Sequence, residues 1–119
     1  PCWAHARRNF FDAQTKHPLK KSVLTDIDKL FEVERQVWAI ENEPISSGRK
    51  NHLKLLLRRK ECSVIVERIF DSIKNSFKSG VHMPKEKLTL AICYMMKREQ
   101  YFKSFLENPD LRIDNNVSE

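Results

Sequence analysis

With 119 residues, 40% of them hydrophobic, the chain has material for one domain with a modest core. Two glycines and five prolines are too few for an all-β protein, which needs turn residues every ten or so positions. Lys and Arg number 22 against 16 Asp and Glu, and the net charge of +6 favours a polyanionic partner; no run of about 18 apolar residues and no signal-peptide pattern occurs, so neither a membrane span nor export is implied.

Apolar residues recur at helical spacing from the start. Trp3, Ala6, Phe10 and Ala13 predict a first helix ending before His17-Pro18. A second follows on the stripe Val23, Leu24, Ile27, Leu30, Phe31, Val37 and Trp38, with Ser22 or Thr25 as its cap and Pro44 to Gly48 as its close. From Arg49 to Ser79 the pattern changes side. Leu53, Leu56, Leu57 and Val64 share one face, whereas Ile65, Val66, Ile69, Ile73 and Phe77 lie on roughly the opposite one. Either the helix breaks near Glu61 to Ser63, which is the favoured expectation, or one rod uses different sides in its two halves. Gly80 marks a C-terminus, Pro84 suits a first turn, and a last stripe runs through Leu88, Ala91, Ile92, Met95, Phe102 and Leu106 to Asn108-Pro109. The expected fold class is all-α, a bundle of four to five helices joined by short loops.

Three cysteines, Cys2, Cys62 and Cys93, are too scattered for a disulfide framework, and a reducing cytosol is the default compartment. Cys2 and His5 would supply two zinc ligands, but a closed site needs about four and no second compact pair exists. Glu34 and Glu99 stand near the centres of apolar stripes. A carboxylate buried there must find a cation or a donor such as a tryptophan N–H, which outweighs a catalytic role. Lys50, Lys54, Arg58, Arg59 and Lys60 crowd together, which fits a solvated helix face or a phosphate-contacting stripe equally well. His5, Arg7 and Arg8 flank the Trp3/Phe10 face. The two arginines are solvated charges or phosphate contacts, and Trp3 and Phe10 are expected in the core.

The ending, Asp114-Asn115-Asn116-Val117-Ser118-Glu119, has two readings. Asn116-x-x-Glu119 is a variant capping box, in which side chains at N-cap and N3 satisfy each other's backbone N–H groups. Taken with the opening Cys2-Trp3-Ala4-His5-Ala6-Arg7-Arg8-Asn9-Phe10-Phe11, however, it resembles the IS66 family of bacterial insertion-sequence transposases, in which an Asp-Asn-Asn-x-x-Glu run carries the glutamate of a DDE catalytic triad. Pro84-Lys85, Leu88, Ala91-Ile92, Tyr94, Phe105-Leu106 and Leu111-x-Ile113-Asp114 resemble the family's intervening pattern, as Leu30-Phe31 with Glu34 resembles its Leu-Tyr-x-Ile-Glu segment. Glu86, Glu99 and Asn108-Pro109-Asp110 depart from it.

The resemblance implies that residues 1–113 form the helical insertion domain of a ribonuclease-H-like DDE transposase and that residues 114–119 begin the helix bearing the catalytic acid. Glu119 would then be both catalytic and a Mg²⁺ ligand, since hard carboxylate oxygens suit that ion. DNA would be the partner, contacted by His5, Arg7, Arg8, Lys50, Lys54, Arg58 and Arg59, with self-association of the parent in a bacterial, nucleoid-associated, cytoplasmic setting. Asp12, Asp26, Asp28, Asp71, Asp110 and Asp114 do not stand in family catalytic positions, so the chain is expected to be an inactive piece of a longer protein. The lack of an initiator Met fits that expectation. The rival expectation is a free-standing helical module that binds DNA or another protein. It predicts a self-contained bundle, whereas an insertion should bring Trp3 and Asp114 to one end.

Overall fold

The computed structural model describes residues 2–113, and these are helical with short connections and no strand among them. The bundle comprises α1 (Trp3–Asp12), α2 (Pro18–Ala39), α3 (Ser47–Leu57), α4 (Ser63–Lys78), α5 (Lys87–Lys97) and α6 (Glu99–Lys103). Helix α2 lies along α3 and α4, while α1 bridges α2 and α5. One core joins them, from Trp3, Ala6 and Phe10 through Ile27 and Leu30 to Ile69, Phe70, Ile73, Ile92 and Met95. The fold class expected from the periodicity is the one observed.

Local chemistry sets the boundaries, in places differently from expectation. The Cys2 Sγ accepts from the His5 N–H and caps α1. Helix α2 starts at Pro18, with Nδ1 of His17 accepting from the Leu19 N–H 3.1 Å away, so neither Ser22 nor Thr25 caps it. Proline suits that first position because its missing N–H has no partner there in any case. Pro84 does not open α5: it lies in the preceding turn, and the helix begins at Lys87. Glu86 folds back there, accepting from the Met83 N–H at 2.8 Å. Gly80, at φ +75°, ends α4 in the left-handed region that side chains disfavour.

The expected break between residues 61 and 63 is instead a π-helical turn, Arg58–Cys62, joining α3 and α4 into one rod of roughly 48 Å. Its inward face reads Lys54, Arg58, Cys62, Val66 and Phe70, a step of four each time. In a regular α-helix those steps drift about 160° around the axis, because four residues overshoot one turn by about 40°. The wider turn absorbs an extra residue and brings the row back to one side. That is why the apolar pattern changes face. Leu56 and Val64, expected on the packed side, are 47% and 62% exposed.

The last stripe is also not one helix. Arg98, at φ −119° and ψ 25°, separates α5 from α6, and a 3-10 turn, Ser104–Leu106, follows.

Candidate functional site

The crowded basic segment resolves into two unlike halves. Arg58 is fully buried (0% exposed) and Lys54 nearly so (1%). Four residues apart, the two share the face turned to α2 and its 3-10 extension, where they meet Glu34, Trp38 and Glu41. Lys54 pairs with Glu41, and this hydrogen bond, ahead of every other cause, holds the Glu41 carboxyl below its usual range. The ammonium also sits 4.0 Å from the centroid of the Trp38 ring, within cation–π range. Lys54 and Arg58 are therefore withdrawn from the expected phosphate-contacting stripe: a buried cation needs a carboxylate, and each has one. Lys50 is half-buried, and Arg59 and Lys60 are exposed.

Arg58 is the centre of the densest polar network in the described chain. Its Nε donates to Glu34 Oε2 at 2.9 Å and its Nη2 to Oε1 at 2.7 Å, the bidentate fork that suits guanidinium to carboxylate. The remaining N–H groups go to backbone: Nη1 to the carbonyls of Phe105 (2.8 Å) and Asn108 (2.9 Å), Nη2 to that of Leu111 (2.7 Å). All five guanidinium donors are thus used. Glu34, 2% exposed, also accepts from the Trp38 indole at 3.2 Å. The guanidinium lies 5.2 Å from the Phe105 ring, and that of Arg112 lies 4.4 Å from Trp38. Beneath it, burial pushes the Cys62 thiol up to about 12, which rules it out as a thiolate nucleophile.

The acids that stood out in apolar stripes both have structural partners, as expected. Glu34 has Arg58 and Trp38. Glu99 meets Lys103 at 2.7 Å and Lys74 at 2.8 Å, and those hydrogen bonds, Lys103's first, depress its pKa.

On α1, Trp3 is core, its indole N–H donating to the Phe102 carbonyl at 3.0 Å. Its ring meets Phe70, Phe102 and Phe105 edge-on. His5 is exposed and stacks on Tyr94, with ring centroids 5.4 Å apart. Arg7 is tied to Asp28 of α2 at 2.7 Å. Arg8 is exposed, its Nε 3.6 Å from Asp12. The candidate DNA-contacting residues are therefore not gathered on one stripe. His5 and Arg8 remain on one helix, and Arg59 with part of Lys50 on another.

Glu119, Asp114 and the Asp-Asn-Asn run lie outside the described residues. Among those that are described, no cluster of three or more His, Cys, Asp or Glu is arranged to hold a metal ion. Ile113, the last described residue, is buried in the same cluster as Trp3.

Sequence reasoning missed Arg58 as the hub of the fold. Its signal was present in Glu34, whose place in an apolar stripe demanded a cation, but the π turn that supplies one leaves no compositional mark.

What the described residues define is a helical domain organised round a buried ion pair. The chain belongs to the Transposase IS66 family, which it matches over residues 1–119. It is similar to the uncharacterized protein y4qI of Sinorhizobium fredii (strain NBRC 101917 / NGR234), at 28% identity over 118 residues. That alignment covers 99% of this chain but 20% of y4qI, so the chain spans about a fifth of its relative's length. No solved structure matches.

Proposed function

We propose that this chain is the helical insertion domain of a DDE-type DNA transposase, residues 1–113, running into the helix that carries its last catalytic acid, residues 114–119. The parent cuts and joins DNA strands at the ends of a mobile element. The observation that carries this reading is the family match, which extends through Asp114-Asn115-Asn116-x-x-Glu119.

In this reading Glu119 supplies one carboxylate to Mg²⁺, which in the parent would activate the attacking oxygen and stabilise the leaving one. Among the described residues no group of three or more His, Cys, Asp or Glu could hold such an ion, and in this reading the remaining ligands would come from beyond this chain. The domain alone is then inactive. Its own contribution is to carry Glu119 and to present exposed cations, Arg8 and Arg59 foremost, to DNA. Self-association of the parent and a nucleoid-associated cytoplasmic site of action go with the same reading. No described helix is long and apolar enough to cross a membrane.

Glu119→Gln in the full-length parent tests it. Glutamine preserves the side chain's size and its capping oxygen while removing the charge that metal binding requires. The expected enzyme folds and binds element ends but neither nicks nor joins them. Strand transfer at the parent's rate would refute the assignment.

A further inference from the structure

The phenyl and phenol rings exposed to solvent among the described residues are Phe11 (59% exposed), Phe77 (43%) and Tyr101 (69%). A lone exposed apolar side chain is ordinary and asks for no explanation. Phe11 differs from the other two in its surroundings. The Lys20 ammonium lies 5.8 Å from its ring centroid and the Arg7 guanidinium 5.9 Å, whereas among the described residues neither Phe77 nor Tyr101 has a cation over its ring. At that distance the two charges stand at the edge of cation–π range and leave most of the residue uncovered. Both are held in place: Lys20 Nζ donates to the Ala13 carbonyl at 2.8 Å, and Arg7 Nε to Asp28 at 2.7 Å. The ring forms one wall of an open depression of about 630 Å³, lined further by Asp12, Gln14, Thr15, Lys16 and Lys20. Of the nearby acids, Asp28 is taken up by Arg7, and Asp12 lies 3.6 Å from the Arg8 Nε. Among the described residues no acid pairs with Lys16 or Lys20, so the depression keeps a surplus of positive charge.

We propose that Phe11 is a stacking platform for an unpaired DNA base, with Lys16 and Lys20 taking the phosphates beside it, so that the end of α1 binds single-stranded DNA. The inference rests on the reading of the chain as part of a DNA transposase, and it names the form of DNA that this surface takes. An open ring beside fixed cations suits a single strand, because every base has a π face and a phosphate next to it. A duplex offers the phosphates but keeps its bases stacked on one another, so a phenyl ring gains little from it. Lys20 uses one of its three donors on Ala13 and keeps the others for phosphate oxygens. A second copy of this chain is the rival occupant of an exposed Phe. It would bring the same surplus cations against themselves, and like charges set face to face oppose association.

The test measures binding by the full-length parent, using fluorescence anisotropy with three probes. Two are single strands of about 12 nucleotides, oligo-dT and the same backbone with abasic sites in place of its bases, and the third is the element-end duplex. Phe11→Ala should weaken oligo-dT binding about tenfold and leave the abasic strand and the duplex within twofold of the parent. Phe11→Trp should hold oligo-dT at least as tightly as the parent does. Lys20→Gln should weaken both single strands and lower their salt slope by about 0.7. Oligo-dT carrying one iodouracil, irradiated on the parent, should crosslink to the peptide that contains Phe11. Oligo-dT binding by Phe11→Ala within twofold of the parent would overturn the proposal, as would crosslinks found only elsewhere. Equal losses on all three probes would mark a structural role and overturn it too. So would lost self-association in light scattering with oligo-dT binding intact, which would give Phe11 to a second copy. Should Phe11→Ala fail to fold, Phe11→Leu keeps the apolar bulk without the π face and carries the same comparison. The duplex separates the two failures. A parent that ignores the element end sinks the transposase reading; one that binds it while Phe11→Ala leaves oligo-dT untouched sinks only the role of Phe11.

Discussion

Replacing Arg58 by methionine fills most of the space of the side chain and removes all of its hydrogen bonds. Glu34, 2% exposed, is then left with the Trp38 indole as its remaining donor. Breaking a buried pair in this way costs about 3–5 kcal/mol, because the surviving charge stays desolvated. The Phe105 carbonyl is orphaned in the interior and adds about 1–3 kcal/mol. Those of Asn108 and Leu111 are nearer the surface, where water replaces the lost donor. The expected loss is therefore about 4–8 kcal/mol, against a total stability of about 6–18 kcal/mol for a domain of this size. At a urea slope of about 2 kcal/mol per molar, the unfolding midpoint by circular dichroism should fall by about 2 M or more. The double variant Arg58→Met with Glu34→Leu removes both charges and should recover much of that loss, giving a coupling of about 2–3 kcal/mol in the double-mutant cycle. A single-variant loss under about 1 kcal/mol, or strict additivity in the cycle, would refute the picture of a desolvated pair at the centre of the fold.

Acid sensitivity should be traceable to Glu99. Its pKa lies below the ordinary 4.5, through Lys103 first and Lys74 next, so the stability it contributes is complete above the unfolded value and is lost as pH falls through the folded one. Glu99→Gln should accordingly flatten the stability curve below about pH 4.5, with no change in its slope between neutral pH and that point; an unaltered acid limb in thermal melts would count against it. For DNA, neutralising Arg59 should weaken duplex binding alike for all sequences and lower the salt slope by about 1 if it contacts a phosphate. Lys54→Gln should instead lower the melting temperature and leave the slope alone, and the opposite pairing in a salt titration would show that the burial of Lys54 has been misjudged.

The bundle was legible because helix formation here follows ordinary periodicity. The stripes of α1, α2 and α5 mark the buried faces, and Gly80 follows the end of α4 where a positive φ is needed, whereas the last helical turn ends at Leu106, ahead of Asn108-Pro109. The boundaries that went astray have specific causes. A histidine ring served as the cap of α2, a role the usual preference for Ser, Thr, Asp and Asn does not signal. Glu86 closed on the Met83 N–H and delayed α5 past Pro84. Of the two expectations for residues 49–79, the favoured break gives way to the single rod, because a π turn keeps it continuous while shifting its buried face by one residue.

The candidate site was harder for a related reason. Counting cations in a segment says how much charge is present and nothing about which way each one points. In Arg49–Lys60 the inward row is Lys54 and Arg58, four apart, and the outward row includes Arg59 and Lys60. Both rows look alike in composition. What separates them is the facing helix, where Glu34 and Glu41 stand seven residues, or about two turns, apart on α2 and its 3-10 extension. Lys54 and Arg58 are matched to that pair in reverse order, as antiparallel helices require: Lys54 to Glu41, Arg58 to Glu34. An acid in an apolar stripe therefore carries more information than a basic cluster does. It fixes not only that a cation must come to it but also the register in which the neighbouring helix has to pass.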